Sequence, residues 1–89
     1  LFTKSPVKRI GRDRFIRNVL IAIGNADDPS LACEAERLLD DASPLVRGTA
    51  VWALSQLMKR ERLDALAAQA IAAEIDEGVR AEWVLATAT

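Results

Sequence analysis

The stretch KSPVKRIGRDRFIRN, Lys4 to Asn18, carries Lys4, Lys8, Arg9, Arg12, Arg14 and Arg17 against a single acid, Asp13. These cations are half of the chain's 12 Lys and Arg, while all of its 13 Asp and Glu except Asp13 lie from Asp27 onward. A guanidinium presents a planar fork of donors that matches the oxygens of a phosphate. Each phosphate so neutralised also releases counterions, so a cluster of this kind suits a nucleic-acid backbone. At the helical angle of about 100° per residue, Arg14, Arg17 and Asn18 fall opposite the apolar stripe Ile16, Val19, Leu20 and Ile23. They are therefore expected to project outward together, with Lys8, Arg9 and Arg12 on the segment before them. Phe15 is the one aromatic among these cations. Base stacking on single strands is poorly supported, and recognition of a folded RNA by shape and phosphate fits the inventory better. A competing reading is a solvated helix face whose Lys and Arg stems cover apolar surface, or cations that face another domain.

The remaining side chains narrow the chemistry. There is no His and one Cys, Cys33. Imidazole acid–base catalysis is thus absent, and a single thiol can hold neither a zinc ion nor an iron–sulfur cluster. It also forms no internal disulfide, which points to a reducing, cytoplasmic setting. Neither GxxxxGK[ST] nor GxGxxG occurs, and the apolar run Val19 to Ile23 is too short to span a bilayer. The sequence alone therefore reads as a non-catalytic domain with no membrane partner. It opens on Leu1 and is expected to be a piece of a longer protein.

The elements that must position the cations are helical. Ser5-Pro6 marks a helix start, Gly11 is expected to interrupt that first turn, and Asp13 to cap a second helix that ends at Gly24-Asn25. DDPSLACEAERLLDD reads as a third helix, with Asp28 as cap and Leu31, Ala35, Leu38 and Leu39 inward. Ser43-Pro44 opens a fourth, with Leu45, Val46, Ala50, Ala53, Leu54 and Leu57 as core. A fifth is expected from about Glu61 to Ile75, buried through Leu63, Leu66, Ala67, Ala70 and Ile71. Asp76 caps a last helix that packs through Val79, Trp83 and Val84. No stretch alternates with period two, so no sheet is expected.

IRNVL at 16–20, VRGTA at 46–50 and VRAEW at 79–83 repeat one pattern, the last two after the acidic turns DDASPLVR and EIDEGVR. This resembles the second helix of a HEAT-type repeat: an acid-bearing turn, then Val-Arg, then small and apolar residues. Such helix pairs cannot bury their apolar faces alone and stack into a shared core. An acid in each turn can then bond an Arg of an adjacent repeat. The expected fold is an all-α, HEAT-like α-solenoid fragment of about two and a half helical-hairpin repeats. It forms one domain, 1–89, with a basic helical opening segment at 1–25, a first clear repeat at 28–58 and a second, partial one at 60–89. Arg47 and Arg80 take the Val-Arg position, where a ladder to the turn acids competes with ligand binding.

SPVKRIGRDRFIRNVLIAIGN, followed by LLDDASPLVRGTAVWAL and VRAEW, resembles the C-terminal region of bacterial epoxyqueuosine reductases, in the same order and over nearly the whole chain. The resemblance implies an oxidoreductase parent that completes queuosine biosynthesis by reducing an epoxide at the tRNA wobble position. It implies a cobalamin and two 4Fe–4S clusters in domains outside this sequence, with none here. It also implies that this domain holds the tRNA anticodon stem-loop and works beside the catalytic domain of the same chain. The tRNA-contacting segment maps onto Lys8, Arg9, Arg12, Arg14 and Arg17, with Asn18 beside them and Arg47 as a further candidate. The alternative is a HEAT-type scaffold for protein or interdomain contacts, with no nucleic-acid role.

Overall fold

The computed structural model of the chain describes residues 6–88, with side chains from residue 9 onward. Lys4 and the Ser5 cap lie outside the described residues, and Lys8 is described by its backbone alone. All regular structure among the described residues is helical: α1 (Pro6–Asn25), α2 (Ala32–Arg37), α3 (Pro44–Leu57), α4 (Arg60–Ala73) and α5 (Glu77–Thr87).

α1 corrects two expectations. It runs unbroken through Gly11, where an added Cβ would meet nothing within 4 Å. A single glycine costs a helix only about 1 kcal/mol, which the good helix formers around it absorb. Asp13 consequently sits inside α1 instead of capping a second helix. α1 does end at Asn25, yet the left-handed residue beyond it is Asp27, at φ 59°. Gly24 is helical and is needed for space: a Cβ there would lie 2.9 Å from Trp52 Cη2 and closer still to Cζ3. Gly24→Ala is therefore expected to lower stability by about 1–3 kcal/mol through overpacking, measured by urea unfolding. Gly11→Ala is the control, expected to be neutral or stabilising.

The third expected helix is shorter than its pattern, with 3-10 turns at Pro29–Leu31 and Leu38–Asp40 flanking the six residues of α2. Asp28 does cap its start, accepting from the Ser30 N–H at 3.1 Å and the Ser30 hydroxyl at 2.7 Å. Ser43 caps α3 by accepting from the Val46 N–H at 3.4 Å, ahead of Pro44 at the first helical position. Asp76 caps α5 in the same way through the Val79 N–H at 3.0 Å. α4 stops at Ala73 rather than Ile75 because Glu74 is already extended, at φ −78° and ψ 125°.

α3 lies between α1 and α5 in one layer, with α2 packed on α3 and α4 on α5 in a second. The result is a slab of 43 × 28 × 17 Å. Leu20, Val46, Val51, Leu54 and Trp83 are its largest fully buried side chains. Val51 was not among the expected core residues. A single helical stripe does not reach it, but α3 has neighbours on both flanks as well as below. Conversely Val19, Leu45 and Val84, read as core, are 39%, 45% and 60% exposed; Leu45 lines an open groove between α1, α3 and α5.

Candidate nucleic-acid interface

The turns that precede α3 and α5 are built alike, and they decide which cations are available. Asp41 Oδ2 accepts from the Ser43 N–H at 3.0 Å, and Glu74 Oε2 accepts from the Asp76 N–H at 2.9 Å. Each carboxylate thereby locks the extended residues before a helix cap and turns its second oxygen toward the preceding repeat. There an arginine meets it. Arg12 donates to Asp41 Oδ1 at 2.6 Å and Oδ2 at 3.2 Å. Arg47 donates through Nε and Nη2 to the two oxygens of Glu74, each at 2.9 Å. The expected acid–arginine ladder is thus present with two rungs, Arg12–Asp41 and Arg47–Glu74.

Arg47 is further fixed by Nη1, which donates to the carbonyls of Asp41 at 2.9 Å and Ala42 at 3.1 Å. With every nitrogen used and its side chain 15% exposed, Arg47 is a structural strut and not a surface cation. Arg12 also donates to Asp13 at 2.9 Å, so its charge is matched by two acids although half its side chain faces water. Arg17 departs from the outward projection expected of it. It is half-buried on the flank of α1, Nη2 donates to Asn18 Oδ1 at 3.2 Å, and its buried Nε has no partner among the described residues. Arg9 and Arg14 are exposed and make no hydrogen bond or ion pair among the described residues. The structure therefore brings Arg9, Arg14, Arg17, Asn18 and the backbone of Lys8 onto one continuous helix and draws Arg12 and Arg47 into the ladder. Sequence reasoning could not sort them, since all six cations carry the same charge and only the turn geometry distinguishes them.

The ladder leaves an electrostatic signature. The Arg12 fork holds the Asp41 carboxyl below the usual carboxylate range, against a smaller opposing effect of burial. Arg47 does the same for Glu74. Unfolded carboxyls titrate near 4. A carboxyl whose folded value is depressed contributes stability that is complete above the unfolded value and lost as pH falls through the folded one. The melting temperature is therefore expected to fall between about pH 5 and pH 3, with Glu74→Gln flattening that dependence in thermal melts monitored by circular dichroism.

Along the C-terminal part of α1, the helices α1, α3 and α5 enclose an open groove of about 620 Å³ lined by Ile21, Leu45, Gly48 and Trp52. Its far wall carries Asp76 and Glu82, so the positive character ends at α1. No cluster of three or more His, Cys, Asp or Glu that could hold a metal occurs among the described residues, and the exposed Cys33 thiol donates to the Ser30 carbonyl at 3.5 Å. No described helix is long and apolar enough to cross a membrane.

Comparison with known proteins agrees with this architecture. The chain is similar to an epoxyqueuosine reductase from Alicycliphilus denitrificans, 37% identical over 59 residues that cover 57% of this chain and 16% of that protein. It is also similar to an epoxyqueuosine reductase from Xanthomonas campestris pv. campestris, 42% identical over 55 residues that cover 58% of this chain and 15% of that one. The resemblance read from the sequence is borne out, and the chain spans at most 16% of the length of these relatives. No solved structure matches it. The family model for HEAT repeats matches residues 12–87, which takes in α2 to α5 whole and most of α1, and the chain belongs to the HEAT-repeat family.

Proposed function

We propose that the chain is a tRNA-positioning domain of an epoxyqueuosine-reductase-like protein, gripping the anticodon stem-loop through phosphate contacts from the N-terminal half of α1. The observation that carries this reading is the pair Arg9 and Arg14: exposed, on one unbroken helix, and without an acid partner among the described residues of an otherwise acidic chain. Arg17 supplies a third guanidinium with unused donors, oriented by Asn18. Lys8 is the neighbouring cation in the sequence. Arg12 stays in the ladder, its charge matched by Asp41 and Asp13. An unpaired arginine has its whole fork available to a phosphate, whereas one already in a bidentate pair must first break it. In this reading the domain binds and orients, and the chemistry belongs to a catalytic domain of the same protein in the cytoplasm. The cobalamin and two 4Fe–4S clusters implied for such a protein would sit there too, since one cysteine and no histidine cannot ligate them here.

The test is a charge reversal at residues outside the ladder. Arg9→Glu/Arg14→Glu is expected to reduce affinity for an anticodon stem-loop at least tenfold by fluorescence anisotropy, with an unchanged helical circular dichroism spectrum. Unchanged affinity would remove the exposed arginines of α1 as the contact surface. Arg17 is left out because reversing a half-buried side chain would also disturb packing. A second reading is favoured by the groove over Ile21, Leu45 and Trp52: a scaffold whose apolar face docks another protein or domain. Binding through that groove would be nearly insensitive to salt and to the reversal.

A further inference from the structure

The two turn modules are spaced by 33 residues, Asp41/Ser43/Val46/Arg47 matching Glu74/Asp76/Val79/Arg80. At each helix the arginine performs two tasks. One nitrogen, Nη1, ties the helix back to carbonyls that precede it: Arg47 to Asp41 and Ala42 of the turn, Arg80 to Ile71 in the last turn of α4 at 2.7 Å and to Glu74 at 3.0 Å. The other edge, Nε with Nη2, reaches forward, and in Arg47 it is filled by the carboxylate of the next turn. In Arg80 that edge has no partner among the described residues. The apolar positions tell the same story. Val51 on α3 is completely buried, while its counterpart Val84 on α5 is 60% exposed.

We infer that the flank of α5 bearing Arg80 and Val84 is a docking surface for a further helical hairpin that continues the stack, with a carboxylate two residues before the cap of its second helix. The acid is specified by the open edge of Arg80, which matches the edge that Glu74 fills on Arg47. The hairpin is specified by the continuity of the α1–α3 and α3–α5 interfaces, for which α5 offers the same row of positions. The route out of α5 fits as well. Ala88 leaves the helix extended at φ −72° and ψ 143°, as Met58 leaves α3 at φ −99° and ψ 145° on the way to α4, and Arg60 donates to the Thr87 carbonyl to hold that exit. A second copy of the chain is a poor occupant. LFTKS, ahead of α1, has no acid to offer. A two-fold pairing that set Arg80 against Glu77 of the second copy would carry Val84 past the start of the facing α5.

The experiment extends the chain by its own unit: residues 57–89 are appended again after Thr89, which preserves the 33-residue spacing and places a second Glu74 opposite Arg80. Thermal and urea unfolding are compared with the unextended chain, each with and without Arg80→Gln. The expected result is one cooperative transition raised by about 4–8 °C, with Arg80→Gln costing clearly more in the extended chain than in the unextended one. The assignment is overturned if the added hairpin melts separately, or if Arg80→Gln costs the same in both chains. It is equally overturned if sedimentation shows the unextended chain to be a dimer that Arg80→Glu dissociates, since the occupant would then be a second copy.

Discussion

Trp83→Ala is expected to leave the chain largely unfolded at 37 °C. The side chain is 1% exposed and is the largest among those fully buried. Removing a core tryptophan costs about 3–5 kcal/mol, as lost transfer free energy plus the cavity left behind. A domain of this length has a total of only about 5 kcal/mol or little more to lose. α5 joins the stack through α3 and α4, and Trp83 is its one large anchor besides Val79, so the loss should not stay local. Far-ultraviolet circular dichroism and the urea midpoint read the effect. Trp83→Phe, which keeps most of the buried volume, should retain a cooperative transition. A cooperative fold with an unchanged midpoint in Trp83→Ala would mean that α5 is not packed as described.

Arg47→Ala carries the second large effect. It leaves the Glu74 carboxylate, only 9% exposed, without its partner and frees two carbonyls of the turn before α3. Breaking a fully buried ion pair costs about 3–5 kcal/mol; for this partly exposed one about 2–3 kcal/mol is expected. Arg47→Lys should recover little, because an ammonium cannot bridge both Glu74 oxygens and also reach the turn carbonyls. The double variant with Glu74→Gln should be less damaging than the sum of the single ones, since the neutral amide needs no counter-charge. Additive costs in that cycle would show that the two residues do not act as a pair.

These two residues mark what the sequence makes legible. The stripe with Val79 marks Trp83 as core, and recurrence after an acidic turn offers Arg47 a place in a ladder, though it leaves ligand binding open as well. Both readings need only local periodicity and a repeat. What periodicity does not encode is how many neighbours a helix has. Val51 is buried and Val84 exposed at matching positions because, among the described residues, α3 is flanked twice and α5 once. Nor does a helical pattern reveal whether a glycine breaks a helix or serves a neighbour. Gly11 and Gly24 look alike in sequence, yet one faces open space and the other the Trp52 ring. The basic segment shows the same limit in electrostatic form. Its charge was plain, but Arg12 could be set apart from Arg9 and Arg14 only once Asp41 was placed at the head of α3, 29 residues away.

The central claim is that α1 grips RNA by its phosphates, and salt dependence tests it most directly. With Arg12 held by Asp41, the contacts left to Lys8, Arg9, Arg14 and Arg17 predict a slope of log affinity against log salt of about −3.5, from roughly −0.9 per phosphate on a duplex stem. The measurement is a titration of the chain with an anticodon stem-loop across a series of salt concentrations, repeated with Arg9→Glu/Arg14→Glu. The account predicts the steep slope in the parent chain and a slope shallower by about 2 in the variant. Binding that is flat in salt, or equally steep in both chains, would contradict it.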